Sequence, residues 1–425
     1  MKKRSIALFV AAAMLTVTLA ACAGNAVQPE PPPVEPPPET QPSALTCPAD
    51  RADNSMPNPP ADTHEAILRF SQVLFREVLA EGEDNPVISP LSAYYALAMV
   101  ALGAGGETRV EFEAVLGRDP AVLAAELLHL SRALMDTAGS TKLSVAGSVW
   151  MAEEFTIAPV FAEAMTNYFN APAYTRDFGA SGTVEEINAW VAERTEGLIE
   201  KLIESISRDE IMLLINTLYF SAKWADAFNP MTEASRAFRP AGSASVEVPF
   251  LSTGVHSFSV AVTCNYEAIM LPYDDDRLGF LLVRPLEGMS VRDFAEGMDL
   301  GAIIAGLEMK EDVQVHMPKL DMEFEFLLND LLKTMGLSLA FGDCADFSGL
   351  VEEDDPLRIS TVLQKVRILV DEEGTEAAAA TVVGIERMSI PLNQIELIFD
   401  TPYVYVILDL ETGIPLFLGV LDNPV

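Results

Sequence analysis

The chain has 425 residues, half of them hydrophobic, and 63 acidic against 27 basic side chains give it a formal charge of −36. A chain of this size can bury one large core or two smaller ones. The charge argues against nucleic acid, heparin-like polymers and anionic lipid surfaces as partners, because each would repel it.

At the N-terminus, Lys2, Lys3 and Arg4 precede an apolar run from Ile6 to Ala21, the layout of an export signal over 1–21. The run ends Leu19-Ala20-Ala21-Cys22, which resembles the bacterial lipobox. That resemblance implies lipidation at Cys22 and a protein held on a bacterial membrane, facing outward. Two acyl attachments anchor far more firmly than one. From Gln28 to Pro60 the chain is rich in proline with interspersed glutamates, so residues 22–60 are expected to form an extended polyproline-like tether. Beyond the export signal nothing is long and apolar enough to span a bilayer. Cys47 falls in the tether; Cys264 and Cys344 fall in the folded part and are expected as thiols rather than a disulfide framework.

Helical and strand patterns then interleave. Ile67, Phe70, Leu74 and Val78 recur at helical spacing, as do Ile187, Trp190 and Val191 with Leu198. Short apolar runs at Ile215 to Phe220, Ile269 to Leu271, Phe280 to Val283 and Val404 to Leu408 predict strands buried on both faces. The reading is one α+β domain over 61–425.

Enzyme chemistry finds little support. The four histidines, His64, His129, His256 and His316, have no metal-ligand spacing to one another or to a cysteine, so neither a metal nor a cofactor is expected. Ser89 lies in Ile88-Ser89-Pro90 rather than in a nucleophile elbow, and no Gly-rich phosphate loop precedes a helix. His316 sits in the alternating stretch Val313 to Pro318 and reads as a sheet residue rather than a base. Asp274-Asp275-Asp276 follows Leu271-Pro272-Tyr273 and reads as a solvated acidic turn rather than a calcium site.

The most informative stretch is Asp371-Glu372-Glu373-Gly374-Thr375-Glu376-Ala377-Ala378-Ala379-Ala380-Thr381. In an extended chain Thr375, Ala377, Ala379 and Thr381 share one face, all small, while Glu376, Ala378 and Ala380 share the other. No proline follows until Pro391, so every amide stays available to a ladder. Gly374 is expected to supply a bend that a Cβ would resist. By composition this is either a solvated Ala-rich loop or a segment able to slot between two strands.

Family resemblance favours the slot. The hinge resembles that of inhibitory serpins, the serine protease inhibitors that insert a cleaved loop into a β-sheet. Other segments match in order: Asn85-Pro86-Val87-Ile88-Ser89-Pro90-Leu91-Ser92 with Leu102-Gly103-Ala104-Gly105-Gly106-Glu107-Thr108; Ile187-Asn188-Ala189-Trp190; Asn216-Thr217-Leu218-Tyr219-Phe220 with Lys223-Trp224; Pro318-Lys319; Ala345-Asp346-Phe347-Ser348-Gly349; and Leu416-Phe417-Leu418-Gly419. The resemblance implies the serpin fold, three β-sheets with eight or nine helices and an exposed reactive-centre loop over about 374–392. It implies no catalytic residue and a monomer whose partners are serine proteases, trapped covalently as acyl-enzymes.

It also implies residue roles. Ser89, Ser92, Asn216 and Gln364 match the shutter beneath the parting strands, with Gln364 where the family usually has histidine. Trp224, Lys319 and Glu372 match the breach at the top, with an ion pair between Lys319 and Glu372. In the family the scissile bond follows the sixteenth residue after the glutamate that opens the hinge; with Glu372 in that place the bond is Met388–Ser389. Met388-Ser389-Ile390-Pro391 resembles antitrypsin-type reactive sites, and an unbranched apolar side chain suits elastase-, chymotrypsin- or subtilisin-like pockets. The alternatives are a trypsin-like target using Arg387, one bond earlier, and a non-inhibitory relative serving as a surface binding module.

Overall fold

The computed structural model describes residues 62–136, 138–228, 234–286, 288–353, 355–375 and 394–425. The export signal, the tether with Cys22 and Cys47, and the loop residues Glu376 to Thr381, Arg387, Met388 and Ser389 lie outside the described residues.

Helix α1 (Thr63–Ala80) opens behind Asp62, whose carboxylate accepts from the Glu65 amide. Its residues Ile67, Phe70, Leu74 and Val78 are all buried, as their spacing predicts. The short strand β1 (Val87–Ile88) leads into α2 (Pro90–Ala101). Pro90 takes the first helical position, where an amide hydrogen would go unused. Every residue of α2 is buried, and a helix apolar all round belongs inside a core. Helices α3 (Gly106–Leu116) and α4 (Pro120–Met135) pack on it.

The middle of the chain supplies β2 (Lys142–Ala152), α5 (Pro159–Ala164), β3 (Ala173–Arg176), α6 (Ser181–Arg194) and β4 (Met212–Lys223). Then come β5 (Ala234–Phe238), β6 (Val246–Ser252), β7 (His256–Val262), β8 (Tyr266–Pro272) and β9 (Leu278–Pro285). Two short helices, α7 (Val291–Glu296) and α8 (Leu300–Ala305), precede β10 (Glu308–Pro318) and β11 (Leu320–Leu327). Helix α9 (Asn329–Thr334), β12 (Thr361–Val370), β13 (Gly374–Thr375), β14 (Ile395–Ile398), β15 (Tyr403–Asp409) and β16 (Pro415–Leu421) complete it.

One sheet has six strands in the order β11-β12-β13-β4-β2-β3. The other has ten, β1-β16-β15-β9-β8-β7-β10-β6-β5, with β14 pairing β10. Three sheets are expected; the described residues form two ladders, and the larger one changes partners at β10. That strand pairs β7 over its first part and β6 over its last, with a register shift between Lys310 and Val313 where Asp312 turns to φ 58°. Nine α-helices occur among the described residues. The four apolar runs form β4, β8, β9 and β15, almost wholly buried.

Three local expectations are corrected. Leu198 does not continue α6: the helix ends at Arg194, and Glu196 and Gly197 turn to φ 49° and 87°. Asp275 in the acidic turn is buried rather than solvated, its carboxylate accepting from the amides of Arg277 and Leu278 and the Thr141 hydroxyl. Cys344 is disulfide-bonded, while Cys264 is free and exposed.

The ends of β9 and β15 are fastened by a buried charge. Asp409 is fully buried and accepts from Arg277 Nε at 2.8 Å and from Thr412, while Arg277 also donates to the Ala133 carbonyl at the end of α4. Removing the cation leaves a carboxylate in the core without its counter-charge. Arg277→Ala should therefore destabilise the protein by about 3 kcal/mol, read as a lower midpoint in chemical denaturation.

Candidate functional site

The site is a seam in the six-stranded sheet. Strands β12 and β4 pair in parallel from Thr361 with Leu213 to Gln364 with Asn216. Above that point the ladder between them stops. At the top, β13 lies antiparallel between them: Gly374 pairs Lys223, and Thr375 pairs both Ala222 and Val370. Neighbouring strands stand about 4.8 Å apart, so an intervening strand holds its neighbours about twice as far apart. Positions 217–221 on β4 and 365–369 on β12 face one another across the seam, and among the described residues neither set has a ladder partner there.

The closed end brings together the four residues expected as a shutter, all buried. Gln364 accepts from the Ser89 amide at 3.0 Å and donates through Nε2 to the Ser89 carbonyl at 2.8 Å, to Ser92 Oγ at 2.9 Å and to Asn216 Oδ1 at 3.2 Å. Ser92 donates to Asn216 Oδ1 at 2.8 Å. The amide of Gln364 thus donates and accepts across the start of α2 and both seam strands, without a charge to titrate.

The open end brings together the residues expected as a breach. Lys319 Nζ lies 2.6 Å from Glu372 Oε1. Trp224 donates from Nε1 to the Asp371 carbonyl at 3.0 Å and from its amide to the Glu373 carbonyl at 2.9 Å. Two further residues act here that the sequence reading did not single out. Tyr273, wholly buried, stacks on Trp224 with centroids 4.8 Å apart, and its hydroxyl meets Thr375 Oγ1 at 2.6 Å. Asp371 turns the chain, its Oδ1 accepting from the amides of Glu373 and Gly374. The Leu271-Pro272-Tyr273 segment was visible only as a turn, and its partner is 102 residues away.

Gly374 is needed for a different reason than expected. Its φ is not positive, but a Cβ there would sit 2.0 Å from the Ala222 carbonyl oxygen and 2.8 Å from Lys223 Cα. The glycine lets the hinge approach β4, rather than supplying a bend.

A strap crosses the outer face of the seam. After α6, the Leu198 and Lys201 carbonyls accept from Arg367 at 3.4 Å and Lys365 at 3.0 Å, both on β12. On the other side Tyr219 of β4 donates to Glu196, which also pairs Lys142 at 2.6 Å. The strap therefore grips both strands that the seam separates.

The family model described as serpin (serine protease inhibitor) matches residues 65–424. The chain belongs to the serpin family. Serpin-Z2A of Triticum aestivum is 30% identical over 360 residues, covering 80% of this chain and 90% of that protein. The thermophilic serpin tengpin in its native state superposes with a TM-score of 0.79 at 30% identity, over 87% of this chain and 96% of that structure. Thyroxine-binding globulin in complex with thyroxine superposes at 0.77 and 26%, over 85% and 99%. Serpins are generally protease inhibitors rather than catalysts, and the thyroxine complex belongs to the same fold. Among this serpin's described residues no group of histidine, cysteine or carboxylate side chains could hold a metal ion.

Gly374→Ala should drive β13 out of the seam, losing its pairs to Ala222 and Lys223 and the Tyr273–Thr375 hydrogen bond. A loss of about 1–3 kcal/mol is expected, with faster amide exchange at Ala222 to Trp224 measured by mass spectrometry.

Proposed function

We propose that this serpin is an irreversible suicide-substrate inhibitor of serine proteases. The observation that carries the reading is the seam, occupied at its top by β13 and, among the described residues, by nothing below it. Its register extends downward without a gap: if Thr375 opposes Ala222 and Val370, then Thr381 would oppose Asn216 and Gln364. The five residues Glu376 to Ala380 equal in number the five positions on each side that have no seam partner among the described residues. On β12 the residues Val366, Ile368 and Val370 point inward, so Ala377, Ala379 and Thr381 would take the inward face and need little room there. Glu376 and Ala378 would fall on the outer face, beside Arg367.

The chemistry belongs to the protease. Its serine attacks the bond after Met388 and becomes esterified to Met388, while Ser389 leaves as a new N-terminus. The freed hinge then zips between β12 and β4 and carries the enzyme with it. About 15 ladder residues at roughly 0.5–1.5 kcal/mol each give on the order of 10–20 kcal/mol to distort the enzyme before water cleaves the ester. Full insertion must part Gln364 from Asn216 and slide under the strap, so the native state is held by kinetics rather than by stability. Elastase-, chymotrypsin- or subtilisin-like enzymes are the proposed targets. The lipobox at Cys22 supports a lipid-anchored bacterial protein facing outward, with the tether 22–60 as spacer.

Mixed with a panel of these proteases, the protein should form complexes that survive boiling in detergent, and the released fragment should begin at Ser389. A fragment beginning at Met388 would assign the bait to Arg387 and trypsin-like targets. Thr375→Arg places an unpaired charge against Tyr273 in the buried seam; it should turn the inhibitor into a substrate, cleaved near Met388 with no stable complex. Complexes formed at unchanged yield would refute insertion.

Cleavage without trapping should also raise the thermal midpoint markedly, because the inserted strand completes the ladder. Calorimetry before and after nicking the loop measures it, and an unchanged midpoint counts against the mechanism.

A further inference from the structure

Strand β14 begins just beyond the loop; among the described residues its ladder has one neighbour, and Arg284 of β9 donates to the Ile398 carbonyl at its far end. Its ladder pairs β10 in parallel over four residues, Val313 with Ile395 through His316 with Ile398. Past its end the chain is firmly anchored: Asp400 meets Arg284 at 3.2 Å and Arg239 at 3.0 Å, and the Phe399 amide donates to the His316 carbonyl. Before that anchor two side-chain contacts to β10 fasten the strand. Gln394 donates to Gln314 at 2.7 Å, and Glu396 Oε1 lies 3.0 Å from His316 Nε2.

His316 is an unusual place for a titratable group. It is buried, and its Nδ1 lies 2.8 Å from Ser252 Oγ on β6. Gln314, next to it on β10, also reaches Ser252. Two charged groups act on the imidazole among the described residues, Arg236 on β5 and Glu396 on β14. Glu396 favours a charged ring, but its own side chain is half exposed and shared with water. Burial and Arg236 both oppose the charge and hold the imidazole below its usual range. At neutral pH the ring is uncharged and fits its pocket.

We propose that the chain Ser252–His316–Glu396 is a proton-sensitive clasp that fastens β14, the strand following the loop, to β10 and loosens it on acidification. The direction follows from linkage. With β14 detached, His316 meets water and recovers proton affinity near its ordinary value. The detached state then binds more protons than the attached one, so its population rises as pH falls below about 6.5. The effect is absent above that pH and saturates below the lowered pKa of the attached state. The regulatory meaning rests on the inhibitor reading, since a slack strand would leave the far end of the bait unanchored. The clasp itself does not depend on that reading.

The test uses the mature protein without protease: amide exchange at Ile395 to Ile398 by mass spectrometry, corrected for intrinsic rates. With the detached ring titrating near its ordinary value, protection should fall measurably, by up to about tenfold, between about pH 7.5 and about pH 5.5. His316→Gln keeps a polar side chain that cannot charge, and should abolish that fall. Glu396→Gln removes the one group favouring the imidazolium and should deepen the fall, while Arg236→Gln should make it shallower. Equal protection of the unaltered protein at both pH values, or an unchanged fall in Glu396→Gln, overturns the proposal even if His316→Gln does not fold. Failure to trap proteases would refute the inhibitor reading and leave this exchange result standing.

Discussion

The ladder between β12 and β4 stops at Gln364 and Asn216, and much of the molecule is arranged around that interruption. Two central strands that run parallel would ordinarily pair along their whole length. Here Gly374 and Thr375 hold them apart at one end, while a buried amide network joins them at the other. The surroundings hold both strands in place: α2 beneath, the strap above, and β2 and β11 on the flanks.

The two ends of the seam are built differently. The shutter is made of uncharged hydrogen-bonding groups in a dry core, where a lost partner leaves an unsatisfied polar atom. The breach is made of aromatic stacking and a partly exposed ion pair, Lys319 with Glu372, whose worth is modest in water. The upper end is therefore the softer one. Tyr273 ties this end to the ten-stranded sheet, because it belongs to the turn between β8 and β9. Burial holds its hydroxyl protonated far above any physiological pH, so that contact to Thr375 is indifferent to acidity. The contact of His316 with Glu396 is not.

Much of this was legible in the chain. Periodicity alone placed α1 and the buried strands, because their apolar residues are continuous in sequence. The Lys319–Glu372 pair and the Gln364 network came from motif position, which carries spatial information that spacing does not. Tyr273 escaped because its role depends on a residue from another sheet, and nothing local marks it. Gly374 was found for the wrong reason: sequence shows a glycine, but only packing shows that β4 approaches too closely for a Cβ. Asp275 read as solvated because three adjacent aspartates usually are; two amides and a hydroxyl fold it inward. Leu198 continued the helical count past the left-handed turn at Glu196 and Gly197.

The strand β13 runs opposite to both of its neighbours, and this has a numerical consequence. A strand entering the seam exchanges one parallel pairing for two antiparallel ones, the better-bonded arrangement per residue. Among the described residues the sheet's other parallel pair is β2 with β3, whose outer member is an edge strand. On the inhibitor reading proposed above, each molecule would take up a single strand, once, and would be consumed one for one, with its capacity set by copy number rather than by turnover.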